Sequence, residues 1–106
     1  MTDLPPPLRS LPGTSAPGTA AAETRLRALG VDPVAWSNGP GDRYAAHEHA
    51  YTKLLVCAEG SITFFVGPEA VAVELGPGDG FELPPGTRHA ALVGGTGCTC
   101  LEGHRR

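Results

Sequence analysis

The sequence predicts an all-β domain, a sandwich or small barrel of the jelly-roll type, and three observations carry that prediction. Glycine and proline number 15 and 11 among 106 residues, which in a non-repetitive chain means many turns joining many short elements. Apolar residues alternate with small or polar ones along several runs, the period of a strand. Breakers recur at near-regular intervals: Asn38-Gly39-Pro40-Gly41, Glu59-Gly60, Gly67-Pro68, Gly76-Pro77-Gly78-Asp79, Pro84-Pro85-Gly86 and Gly94-Gly95-Thr96-Gly97. A chain of this length forms one domain with a single core.

Residues 1–22 hold five of the eleven prolines and almost no large apolar residue after Leu11. Too little apolar surface is available to offset the entropy of ordering, so a flexible tail is expected there, with the barrel domain over 23–106. In AETRLRALG (22–30), Leu26 and Leu29 fall on one side of a helical turn and Gly30 supplies a stop. That pattern predicts one short helix lying over the domain. Strands are expected near 34–37, 43–49, 51–58, 61–66, 70–75, 80–83, 89–93 and 97–102. The 61–66 run alternates best, with Ile62, Phe64 and Val66 on one face, and Val71, Val73 and Leu75 repeat the pattern in the next.

A formal net charge of −3 provides no basic field for nucleic acid or an anionic membrane surface. The longest apolar stretch, LLVCA (54–58), is far too short to span a bilayer. The N-terminus carries Asp3 and lacks the apolar run of a secretory leader. Three cysteines, Cys57, Cys98 and Cys100, are odd in number, and two lie too close in sequence for an ordinary disulfide framework. A reducing, cytoplasmic setting follows as the expectation.

Two of the four histidines, His47 and His49, stand one residue apart on an expected strand. Their side chains then share a face with Cβ atoms about 6 to 7 Å apart, a spacing that lets two imidazoles close on one ion. An isolated pair of this kind is as readily a solvent-facing or packed pair, so the surrounding pattern matters. Gly41 lies six residues before His47, Gly60 follows, and a second block, Gly78 to His89, reads GDGFELPPGTRH and ends in a third histidine.

Gly41, His47, His49 and Gly60, followed by Gly78, Pro84, Gly86 and His89, resemble in register the two motifs of the cupins. The resemblance covers residues 41–89, and strands to about 102 are consistent with it. It implies a double-stranded β-helix, a cupin-like jelly-roll barrel, with His47, His49 and His89 as metal ligands and pairing of two copies as a homodimer. The chain departs from the pattern at Lys53, where the family has a ligating glutamate, and at Val93, where the second motif ends in asparagine. Three histidines are therefore the ligands carried over. Nitrogen donors favour a divalent transition metal (Fe, Co, Ni, Cu or Zn), and three protein ligands leave positions open for water or substrate.

If the strand runs unbroken from His47, Tyr51 and Lys53 face the same cavity. An ammonium beside a metal dication calls for something negative between them. An anionic substrate bound by Lys53 and Tyr51 meets that need; so does a carboxylate such as Glu82 or Glu74, or a Lys53 that has lost its proton. A lysine that displaces the metal altogether, or reaches out of the barrel mouth, is the bland alternative. Cys98 and Cys100 share a face and are expected to be small buried residues. Glu48 and Arg88 should face outward, Trp36 and Tyr44 should be packing groups, and His104 to Arg106 a frayed end.

Two functions follow. One is a small metal-dependent enzyme acting on a small anionic metabolite, for which the resemblance offers dioxygenase, isomerase and decarboxylase chemistry. The other is a noncatalytic binding or sensing barrel, with or without metal.

Overall fold

The computed structural model describes residues 4–105. Residues 1–3 of the expected tail and Arg106 of the expected frayed end lie outside the described residues. One helix, α1 (Thr19–Ala28), precedes six strands: β1 (Val34–Asn38), β2 (Arg43–His47), β3 (Thr52–Val66), β4 (Val71–Leu75), β5 (Gly80–Leu83) and β6 (His89–Arg105).

All pairings are antiparallel, and two long strands organise them. The first part of β3 pairs with β5 and with the end of β6, which in turn pairs with β1. The last part of β3 pairs with β4 and with the start of β6, which in turn pairs with β2. Both long strands thus pass from one four-stranded layer into the other, the architecture of a double-stranded β-helix.

Those long strands correct the expected segmentation. Breakers at Glu59-Gly60 and Gly94 to Gly97 were expected to end strands, yet 51–58 joins 61–66 and 89–93 joins 97–102. The register of β3 against β6 shifts between Cys57 and Glu59 and again between Gly60 and Ile62. Glycine here bends a strand instead of ending it. Gly60 has φ 74, and a Cβ on it would lie 2.0 Å from the Gly97 carbonyl oxygen; Gly97 itself has φ 78. Two glycines therefore cross at the corner where no side chain fits.

Between the layers lies the main core, including Leu55, Ile62, Phe64, Leu75, Phe81, Val93 and Cys100. Val93, at the position of the motif asparagine, is 1% exposed among these apolar groups, which is why an amide is not wanted there. A second core covers the outer face of the layer containing the first part of β3, where Leu54, Val56 and Ala58 meet Ala22, Leu26 and Val31. Burial of both faces accounts for the unbroken apolar run at 54–58.

The helix forms as expected but starts earlier and ends sooner, at Ala28. Gly30 N–H bonds the Arg27 carbonyl and Val31 N–H the Leu26 carbonyl, with Gly30 at φ 84. This is a Schellman stop, in which the accompanying hydrophobic contact joins Val31 to Leu26.

The flexible tail expected over 1–22 is corrected across its described residues. Leu8 and Leu11 are buried, Arg9 bridges Glu82 on β5 through two backbone hydrogen bonds, and Ala22 is inside α1. Arg25 fastens this arm by donating to the carbonyls of Leu11, Pro12 and Gly78. The arm orders because the barrel offers it an apolar face and a sheet edge, neither of which the composition of residues 4–22 reveals. Among the described residues no helix is long and apolar enough to cross a membrane.

Candidate metal centre

His47 ends β2, His89 begins β6, and the two are direct cross-strand partners. β2 does not run on to His49: the ladder is irregular between Tyr44 and His47, and residues 48–51 leave the sheet before β3 starts at Thr52. His49 still reaches its neighbours, because its carbonyl accepts the Gly86 N–H at 2.8 Å, tying this segment to the Pro84-Pro85-Gly86 turn just ahead of His89. One ring nitrogen from each of the three histidines lies within 4.8 Å of the others. Ring centroids are 4.7 Å apart for His47 and His49, 4.4 Å for His47 and His89, and 5.1 Å for His49 and His89.

The tautomers suit a cation. His47 Nδ1 lies 2.7 Å from the Ala45 carbonyl and His89 Nδ1 2.9 Å from the Thr87 carbonyl. Each Nδ1–H donates to its carbonyl, so each Nε2 carries a lone pair. His49 Nε2 and His89 Nε2 are buried without a hydrogen-bond partner among the described residues, an expensive arrangement unless something else occupies those lone pairs. Burial, with repulsion from Lys53, His47 and His89, pulls the His49 imidazole down to about 4. Burial is likewise the chief cause that lowers His89. Both rings are neutral near pH 7, the form that ligates.

Lys53 is 9% exposed and faces Glu102 Oε1 at 3.5 Å. Its counter-charge is therefore Glu102, neither Glu82 nor Glu74. Glu82 pairs with Arg105, and Glu74 is exposed on β4. Glu102 also accepts the Trp36 Nε1–H at Oε1, 2.8 Å, and is joined at Oε2 to His104 Nε2, 2.7 Å. Burial pushes the Glu102 carboxyl up, but Lys53, His104 and Trp36 together outweigh it and hold the group below its ordinary value. Extending the Cys98 and Cys100 alternation by one step would have placed Glu102 on the inner face; that was the signal in the sequence.

A cavity of about 220 Å³ lies beside the triad. His47, His89, Lys53 and Glu102 form its polar side, while Trp36, Tyr44, Ile62, Phe64, Ala90 and Ala91 form the rest. Trp36 and Tyr44, expected only to pack, are walls of this cavity, meeting edge to face with centroids 5.7 Å apart. Tyr51, expected to share the cavity with Lys53, is absent from its lining because the chain leaves the strand between His47 and Thr52. Its ring stacks instead on His49 and on His104. His104 and Arg105 are held rather than frayed, His104 by Glu102 and Arg105 by Glu82 and the Leu29 carbonyl. Cys57, Cys98 and Cys100 are free and buried, the burial being as expected for Cys98 and Cys100; burial pushes the Cys98 thiol up. Glu48 and Arg88 are exposed, also as expected.

A family model described as "Cupin domain" matches residues 36–101. The chain belongs to the cupin family. As a cupin it is similar to an RmlC-like cupin from Shewanella frigidimarina NCIMB 400, at 24% identity over 70% of this chain and 64% of that one, TM-score 0.62. The ribosomal oxygenase YcfD of Escherichia coli, in complex with cobalt and 2-oxoglutarate, is 25% identical over 82% of this chain and 28% of its own, TM-score 0.68. Drosophila melanogaster CENP-C bound to CAL1 shares the fold at 14% identity over 69% of this chain and 60% of that one, TM-score 0.64. This cupin thus spans less than two thirds of the length of each. No curated protein matches the sequence.

Proposed function

We propose that this cupin is a metal-dependent enzyme whose substrate is a small anionic metabolite. The carrying observation is the pair of buried, unpartnered imidazole nitrogens on His49 and His89 within 4.8 Å reach of a third ligand on His47. A divalent transition metal, one of Fe, Co, Ni, Cu or Zn, fits neutral nitrogen donors of this kind and would supply a Lewis acid with open positions for a ligand. The complex of YcfD with cobalt and 2-oxoglutarate supports both halves of the reading, since a structurally similar protein binds a metal and an acidic small molecule.

The chain's own groups do the rest. Lys53 has three N–H donors and, among the described residues, Glu102 as its one charged partner, which leaves two donors for an anionic head group. Glu102 holds the lysine in place. Trp36, Tyr44 and Phe64 exclude water from the remainder of the cavity, whose 220 Å³ suits a compact apolar body. Tyr51 acts behind the site and donates nothing to the substrate. Three free thiols support a reducing, cytoplasmic compartment. An uncovered β1 edge, where Val34 is 65% exposed, supports a homodimer.

A second reading, a noncatalytic binding barrel, is favoured by one observation: the family's ligating glutamate is replaced by a lysine that already has its own carboxylate. Elemental analysis of natively purified protein separates the two, repeated after chelation and resupply with each candidate metal. One transition-metal ion per chain supports the enzyme. Protein that stays metal-free after resupply overturns it and leaves the binding barrel.

A further inference from the structure

The three histidines are not held alike. His47 and His89 sit on strands as cross-strand partners, and each ring is pinned by a hydrogen bond from Nδ1 to a backbone carbonyl. His49 lies outside the strands. Its backbone is anchored by Gly86, but no corresponding hydrogen bond reaches its ring among the described residues. Beyond its two triad neighbours, the ring is met by Tyr51, stacked on it at 4.7 Å between centroids with planes 17° apart.

Tyr51 is itself held from behind. His104 also stacks on Tyr51, at 3.9 Å and 24°, and His104 Nε2 is fixed 2.7 Å from Glu102 Oε2. Glu102 is immobilised in turn by Trp36 and Lys53. A line of contacts therefore runs from the end of β6 to the one triad ring lacking a hydrogen bond of its own.

From this arrangement we infer that Tyr51 and His104 are positioning residues for the metal, a stacked buttress that orients His49 as the third ligand. The inference rests on the reading of the triad as a metal site and adds to it which ligand needs support and what supplies it. Outer groups that orient a ligand normally do so by hydrogen bonding to its distal nitrogen. Here the restraint is the face of an aromatic ring, which limits rotation of the imidazole without engaging either nitrogen. Without it, His49 must lose that rotational freedom when it binds the ion, and the loss weakens binding.

The phenolic oxygen plays no part in a stack, so the buttress makes a specific demand: an aromatic ring at 51, with or without its hydroxyl. Cobalt(II) titration of metal-free protein, followed by its visible absorption bands, reads affinity and ligand geometry together. Tyr51→Leu is expected to weaken cobalt about 10- to 100-fold and to alter the bands. Tyr51→Phe should restore both. His104→Ala removes the outer ring together with its contact to Glu102 Oε2, at a side chain 45% exposed, so it serves as the variant less prone to misfolding than Tyr51→Leu. Its expected effect is in the same direction and smaller.

Proton NMR of the metal-free proteins supplies a readout that needs no cobalt. Stacking should shift the His49 ring protons upfield in the parent and in Tyr51→Phe, and Tyr51→Leu should return them to ordinary positions. Parent protein that takes up no cobalt overturns the metal reading and this inference's link to metal; unchanged ring shifts in Tyr51→Leu overturn the buttress alone. Equal cobalt affinity and identical bands in the parent, Tyr51→Leu and His104→Ala overturn the inference while leaving the metal site standing.

Discussion

The histidine triad and the Lys53–Glu102 pair face the same cavity, yet they meet burial in opposite ways. Every charge in the pair is answered from within the chain: Glu102 takes Lys53, the indole N–H of Trp36 and His104. The triad brings three imidazoles together and leaves two buried nitrogens unanswered among the described residues. Buried polar atoms are normally satisfied because leaving one bare costs about 1–3 kcal/mol. An internally closed network is therefore read as structure and pre-organisation, and an open one as a place for something that comes from outside. The difference also explains how a lysine survives beside the proposed cation site: its neutralising carboxylate arrives from β6.

The largest expected effect tests the open half. His89→Ala removes a proposed ligand fixed by two strands, and metal affinity should fall by more than about 100-fold, beyond the range for loss of a supporting group; titration with zinc or cobalt checks this. An unchanged affinity would mean that the bare nitrogens are not a site.

Glu102→Gln breaks the closed half by leaving a buried ammonium without its counter-charge, at a cost of roughly 3 kcal/mol, measured by urea unfolding of metal-free protein. Lys53→Met should cost less, about 1 kcal/mol, because Glu102 keeps Trp36 and His104 as donors. A reversed order would show that the pair is not organised around the carboxylate.

Acid provides the mildest test. His49 in the fold titrates at about 4 against an ordinary 6.5, His89 is also lowered, and Glu102 lies below its ordinary value. In each case the unfolded chain binds more protons than the folded one across the intervening window, so unfolding free energy falls as pH drops. For His49 that loss runs from about pH 6.5 down to 4 and is absent above it. Urea midpoints of metal-free protein at pH 7, 6, 5 and 4 should therefore decline; a rise toward acid would place these imidazoles in a protonated, ion-paired state instead.

Much of the frame was legible in the residues. Alternation at 61–66 and 71–75 marked strands that pair directly, Ile62 with Leu75 and Phe64 with Val73. Gly30 marked the helix stop. His47, His49 and His89 were readable as one group through the resemblance of the glycines and prolines around them to the two cupin motifs. Gly60 and Gly97 were misread as ends of strands. A glycine signals backbone freedom, and whether that freedom makes a turn or a bend is set by the chain lying across it.

Alternation and turn chemistry, acting over a few residues at a time, were enough to predict an all-β sandwich or barrel, and the motif resemblance added that three imidazoles meet. Such signals act locally, so a single chain displays them. Only the tertiary structure decided that Glu102 answers Lys53, that Trp36 and Tyr44 wall the cavity, that residues 4–18 cover a sheet face, and that Tyr51 stands behind His49. Each of those depends on register between segments tens of residues apart, where a shift of one residue turns every side chain to the opposite face.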